Sequence, residues 1–118
     1  MKGGVSTKMI SQPGLYILNS RGIPVRESNP ICWAKWIGCP KNRILKFDAL
    51  QGDVEVSTIY LGIDRNWSTR GRPLLWETMI FGGRHHGYQE GHASRTDALA
   101  GHVAALKIAR GQSPRVRA

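Results

Sequence analysis

Long apolar runs are missing from this chain of 118 residues, and no stretch approaches the length of a membrane span. Met1 to Lys8 carries the charge of a signal peptide with no apolar segment behind it, which predicts a soluble, cytoplasmic protein. Cysteine is scarce: Cys32 and Cys39 cannot form a disulfide scaffold and have no second metal-type pair, so two reduced thiols are expected. Acidic residues are few as well, with 8 Asp+Glu against 17 Lys+Arg, a formal charge of +9. Eleven of the cations are Arg, whose planar fork suits phosphate and stacking, so the imbalance points to a phosphate-bearing partner.

Catalytic signatures are also lacking. There is no GxSxG, no Walker loop, no GxGxxG and no HExxH, and neither Cys has a His partner in sequence. His85, His86, His92 and His102 keep no regular spacing with acidic or thiol residues, so no metal is expected, nor any cofactor. The remaining catalytic reading is a small hydrolase built on Glu77, paired with Asp64 at the strand ends, or on a His; a lone Glu in a strand is more often salt-bridged to a neighbouring Arg.

What is present is the composition of one globular domain, 41% hydrophobic and 21% charged. Residues 1–13 and 111–118 read as loose basic ends carrying Lys2, Lys8, Arg115 and Arg117, which leaves about 14–110 as the ordered core of a single domain, 1–118. Leu15 to Leu18 and Ile23 to Val25 flank the turn cluster Asn19-Ser20-Arg21-Gly22 and suggest a hairpin. Asn29 before Pro30 predicts a helix that ends at Gly38, with Trp33, Trp36 and Ile37 on its core face. Arg43 to Leu50, Val54 to Leu61 and Leu74 to Phe81 read as a three-stranded antiparallel meander. The last of these strands is apolar on both faces except at Glu77 and Thr78, which suggests a central strand or a face covered by a second subunit. Ser94-Arg95-Thr96-Asp97 has capping-box spacing and opens a helix over Ala98 to Arg110, with Leu99, Val103 and Leu106 as its apolar stripe. The fold class expected is α+β: a small antiparallel sheet of about four to five strands, one short helix in the N-terminal half, and a C-terminal helix packed on the sheet.

Two places suit a phosphorylated ligand. The loop from Gly62 to Pro73 sets Arg65, Arg70 and Arg72 around Trp67, combining bidentate phosphate grips with a stacking face. The start of the last helix offers unpaired backbone N–H groups beside Arg95 and Thr96. Gly82-Gly83-Arg84-His85-His86-Gly87 reads as a mobile, partly cationic connection that, with Tyr88 and Gly91 nearby, could cover a ligand. Two partners stay open on these grounds: a small nucleotide, or a nucleic-acid polymer recruited by the charge of +9, although no helix-turn-helix, RNP or zinc-finger pattern is present.

The segments Val56 to Trp67, Leu75 to Gly83, Tyr88-Gln89-Glu90 and Ala98 to His102 resemble a widespread class of small phage proteins, and within it the type 1 Thoeris anti-defence sponges. The resemblance spans roughly residues 14 to 110. It implies a non-catalytic, homo-oligomeric protein, a dimer or hexamer, that sequesters cyclic ADP-ribose isomers between two subunits and so blocks Thoeris immunity in the infected host. Some members of that family are similar to cyclic-oligonucleotide binders, holding cyclic di- or trinucleotides at separate sites. By position, the resemblance gives Arg95 and Thr96 to the pyrophosphate, Thr78 and Met79 to the pocket wall, and Trp67 or its neighbour Asn66 to the adenine. Arg26 or Arg43 would add an Arg from another segment. Arg65 and Trp67 stand where that pattern has His and Phe, so the aromatic is kept but is larger.

Overall fold

A computed structural model describes residues 14–66 and 71–111. The fold is α+β: a two-stranded sheet, a four-stranded antiparallel sheet, a C-terminal helix and two short helices in the N-terminal half. The chain runs β1 (Tyr16–Leu18), β2 (Pro24–Arg26), α1 (Pro30–Ile37), α2 (Pro40–Arg43), β3 (Ile44–Leu50), β4 (Val54–Tyr60), β5 (Trp76–Phe81), β6 (Gln89–His92) and α3 (Arg95–Ala109). Among the described residues no helix is long and apolar enough to cross a membrane.

The first hairpin forms where the turn cluster predicts it, with Tyr16 opposite Arg26 and Leu18 opposite Pro24. The Asn19 side chain closes its turn by accepting from the N–H of Arg21 and of Ile23. Helix α1 starts at Pro30 because the Asn29 side chain accepts from the N–H of Ile31 and Cys32, and it ends at Gly38. Gly62 lies where three elements meet: its carbonyl accepts from Tyr16 N–H at 2.8 Å and from Trp33 Nε1–H at 3.1 Å. Its φ is +72°, and a Cβ there would sit 2.8 Å from Trp33 Nε1, so only glycine fits.

The meander is β3-β4-β5, and a fourth strand, β6, lies at its edge. Gly82 to Gly87 form the connection out of β5, and Gln89 to His92, where no strand was expected, pair with β5. Gln, Glu, Gly and His carry little strand propensity, so pairing with β5 sets the conformation. Arg43 likewise closes the short turn α2 instead of opening β3.

Helix α3 covers one sheet face and contacts all four strands, β5 and β4 most. Its buried residues are Ala98, His102 and Ala105, one position round from the expected stripe, and Val103 is 53% exposed. The shift has a physical cause. Small residues let the helix sit close to the sheet, and His102 turns inward because polar partners await it there. The core is consequently split. Tyr60, Leu75, Trp76 and Ala98 form one apolar cluster, which Trp36, Ile37 and Tyr16 extend. Val56, Ile80 and Ala105 form the other, with Leu50, Tyr88 and Leu106 around it. Between them along β4, β5 and α3 lie Thr58, Thr78 and His102.

The strand positions that point away from α3 carry Phe47, Ile59, Met79 and Phe81, with Phe47 52% and Phe81 39% exposed. Glu77 sits among them at 7% exposure. The both-sided apolar pattern of β5 therefore covers α3 on one side and leaves an apolar face open on the other.

Candidate functional site

The loop after β4 and the start of α3 come together. Asp64 Oδ1 accepts from Asn66 N–H at 2.8 Å and from Leu74 N–H at 3.0 Å, which folds the loop back on itself. The Asn66 side-chain amide donates to the Arg72 carbonyl at 2.9 Å, and the Arg72 guanidinium reaches the Ala93 carbonyl at 3.4 Å, one residue before the helix cap. The Ser94 hydroxyl then accepts from Asp97 N–H at 3.0 Å, as the capping spacing predicts. Arg95 and Thr96 are exposed on the first turn. The Asp97 N–H bonds to the cap and the Ala98 N–H to the Ser94 carbonyl, so the first-turn donors of Arg95 and Thr96 face outward.

Of the residues expected in a ligand site, Asn66, Arg95 and Thr96 thus share one neighbourhood. Arg72, one of the three loop arginines read as phosphate grips, links them. Trp67 and Arg70 lie outside the described residues. Arg26 is exposed on β2 with its guanidinium 5.5 Å from the centre of the Tyr16 ring, and half-buried Arg43 donates to the Ile37 carbonyl at 3.1 Å. Arg26 thus lies on the first hairpin and Arg43 in the turn before β3, each engaged with its own surroundings. Thr78 needs a correction. It is fully buried and its hydroxyl already has two partners, so it lines no pocket, while Met79, its neighbour in β5, faces the opposite side of the sheet. Glu77 is taken up by Gln89, whose amide donates to it, and by Arg65 at 3.9 Å, which is the salt-bridged alternative to a catalytic pair with Asp64.

Thr78 belongs to a chain of side chains that the sequence does not announce. Asp48 Oδ2 lies 2.8 Å from His102 Nε2, and His102 Nδ1 lies 2.7 Å from Thr58 Oγ1. Thr58 Oγ1 lies 2.6 Å from Thr78 Oγ1, which lies 3.0 Å from His92 Nε2. His102 is 1% exposed, both Thr are fully buried and His92 is 6% exposed, whereas the Asp48 side chain is 41% exposed. Burial of polar groups without partners is costly, and here each is hydrogen-bonded. The His92 ring also packs against the helix at Gly101, where a Cβ would come within 3.1 Å of three ring atoms. An Asp-His-hydroxyl array resembles hydrolytic machinery, but the Thr58 oxygen is sealed under α3, and the array acts as a fastener between helix and sheet. By contrast the Tyr60 hydroxyl, buried in the aromatic cluster, has no partner, and burial pushes its ionisation above the ordinary phenol value.

The hydrogen bond from His102 holds the Asp48 carboxyl below the usual carboxylate range, with Lys46 and Arg110 adding to the effect. A depressed carboxyl contributes stability that is complete above its unfolded value of about 3.9 and is lost as pH falls through its folded value. Asp48→Asn keeps an acceptor for His102 but carries no charge. Urea midpoints measured from neutral to acid pH are expected to show the variant less stable near neutrality, with the gap closing toward acid. A gap of constant size would contradict that assignment.

Among the described residues, open concavities lie elsewhere. One, of about 460 Å³, is lined by Leu18, Asn19, Trp36, Lys41 and Asn42, and another, of about 510 Å³, by Ala49, Leu50, Gln51, Ala109 and Arg110. Neither includes Arg95. No family model, no curated protein and no solved structure matches the chain.

Proposed function

We infer that the protein binds a small phosphorylated nucleotide signal of the cyclic ADP-ribose type and sequesters it without cleavage. The observation that carries this reading is the contact from the Arg72 guanidinium to Ala93, which holds the Trp67-bearing loop against the capped start of α3 beside Arg95 and Thr96. A pyrophosphate needs a few placed forks and free N–H donors, and that neighbourhood supplies both. The resemblance to the Thoeris anti-defence sponges agrees, and it makes the protein a phage factor acting in the cytoplasm of an infected bacterium. The open sheet face with Phe47, Met79 and Phe81 suits a homo-oligomer, in which a second copy would complete the pocket. Met79 would then contribute from that copy.

Titration calorimetry with cyclic ADP-ribose isomers, followed by heating and mass spectrometry of the released ligand, tests this. Saturable binding with the ligand recovered intact is expected. No binding at micromolar protein, or a chemically altered product, would overturn it. The charge of +9 favours a second reading, a nucleic-acid-binding module. That reading requires affinity for a DNA or RNA oligomer to fall linearly in log salt, and a gel shift that shows nothing at low salt removes it.

A further inference from the structure

We propose that the chain Asp48-His102-Thr58-Thr78-His92 is a two-state proton relay, in which protonation of His102 reverses the three hydrogen bonds between His102 and His92 and moves the His92 proton from Nε2 to Nδ1.

The donor inventory dictates this. A carboxylate only accepts, so His102 Nε2 carries a hydrogen and donates to Asp48 across 2.8 Å. With a neutral imidazole, His102 Nδ1 is then an acceptor, and the Thr58 hydroxyl must donate to it across 2.7 Å. A hydroxyl has one hydrogen, so the 2.6 Å bond between the threonines is donated by Thr78, whose oxygen in turn accepts from His92 Nε2–H at 3.0 Å. Every donor points toward Asp48. Protonated His102 instead carries a hydrogen on Nδ1 and donates to Thr58. Thr58 then donates to Thr78, Thr78 donates to His92 Nε2, and His92 keeps its own hydrogen on Nδ1.

Both arrangements satisfy all four bonds, and a mixed one leaves a hydroxyl hydrogen without an acceptor or sets two lone pairs against each other among fully buried threonines. The proton balance closes. One proton from solvent is gained overall, and it resides on His102; each hydroxyl keeps one hydrogen, and His92 exchanges the nitrogen that carries its own. The charge at the half-exposed Asp48 edge is thereby reported on the far strand, two residues before the cap of α3. The charged groups at the His102 end are Asp48 and, acting on the same carboxylate, Lys46 and Arg110. Glu90 stands opposite Thr78 in the register, and Tyr60 lies on the same face as Thr58.

Nitrogen-15 NMR of the histidine rings in the full chain reads tautomer and charge together. At the alkaline end both His92 and His102 are expected as Nε2–H. On acidification, one step with a shared midpoint should make His102 an imidazolium and His92 an Nδ1–H imidazole. Thr58→Ser should preserve the shared midpoint, and Thr58→Val, which cuts the relay, should let His92 titrate on its own. His92 found as Nδ1–H at alkaline pH overturns the proposal, and so does His92 that keeps Nε2–H while His102 charges. Separate midpoints in the wild-type chain, or unfolding before His102 takes up its proton, overturn it equally. These wild-type results decide the matter even if the valine variant does not fold.

Discussion

His102→Ala is expected to lower the unfolding free energy by about 3 kcal/mol or more, a large part of the roughly 5–15 kcal/mol that holds a domain of this size. Two losses add. The imidazole is 1% exposed and fills the space between the two apolar clusters, so its removal opens a cavity under α3. It also strips Thr58 of one partner and Asp48 of the bond that holds its carboxyl down. Each threonine is expected to cost about 1–3 kcal/mol when changed to Val, because the remaining hydroxyl or ring nitrogen is left buried and unpaired. The two changes together should cost less than their sum, since the second removes a group the first has already orphaned. Urea denaturation of the wild type, His102→Ala, the two single threonine variants and their double variant measures this. Full additivity would show that the two threonines are not coupled, and His102→Ala with an unchanged midpoint would show that the layer contributes no stability.

The same layer explains what was legible in the sequence and what was not. Local signals gave the hairpin, the Asn29-Pro30 start of α1, the strands β3 to β5 and the Ser94 cap, because each rests on contacts within a few residues. The polar layer joins Asp48, Thr58, Thr78, His92 and His102, the first and last of which are 54 positions apart, and no spacing rule ties them. The alternation of Val54, Val56 and Thr58 placed Thr58 on the core face without showing what it meets. The helix stripe was read one position out for the same reason: hydropathy ranks Val103 above His102, and only the waiting hydroxyls reverse that order. Strand β6 was missed because its residues become a strand through pairing with β5. A consequence for folding follows. Sliding β4 on β5 by two residues keeps the faces but separates Thr58 from Thr78, so the layer specifies register where the flanking apolar clusters alone would tolerate a slip.

At the exposed end of α3 the expected effect is on binding, not on stability. Arg95→Ala and Arg72→Ala are each expected to weaken a cyclic ADP-ribose isomer at least tenfold, about 1.4 kcal/mol, with folding unaffected because both side chains are exposed. Trp67→Ala should do the same if its ring lies on the adenine. Arg84→Ala supplies the contrast, since Arg84 is equally exposed but lies in the connection between β5 and β6. A partner attracted by net charge would feel the loss of any one of these arginines alike. A compact anion held at the helix start feels only those within reach of it. Calorimetry on the three arginine variants separates the two cases. Equal losses at Arg72, Arg84 and Arg95 would make the basic surface as a whole the binding element, whereas losses at Arg72 and Arg95 alone would place the ligand where the loop meets the cap of α3.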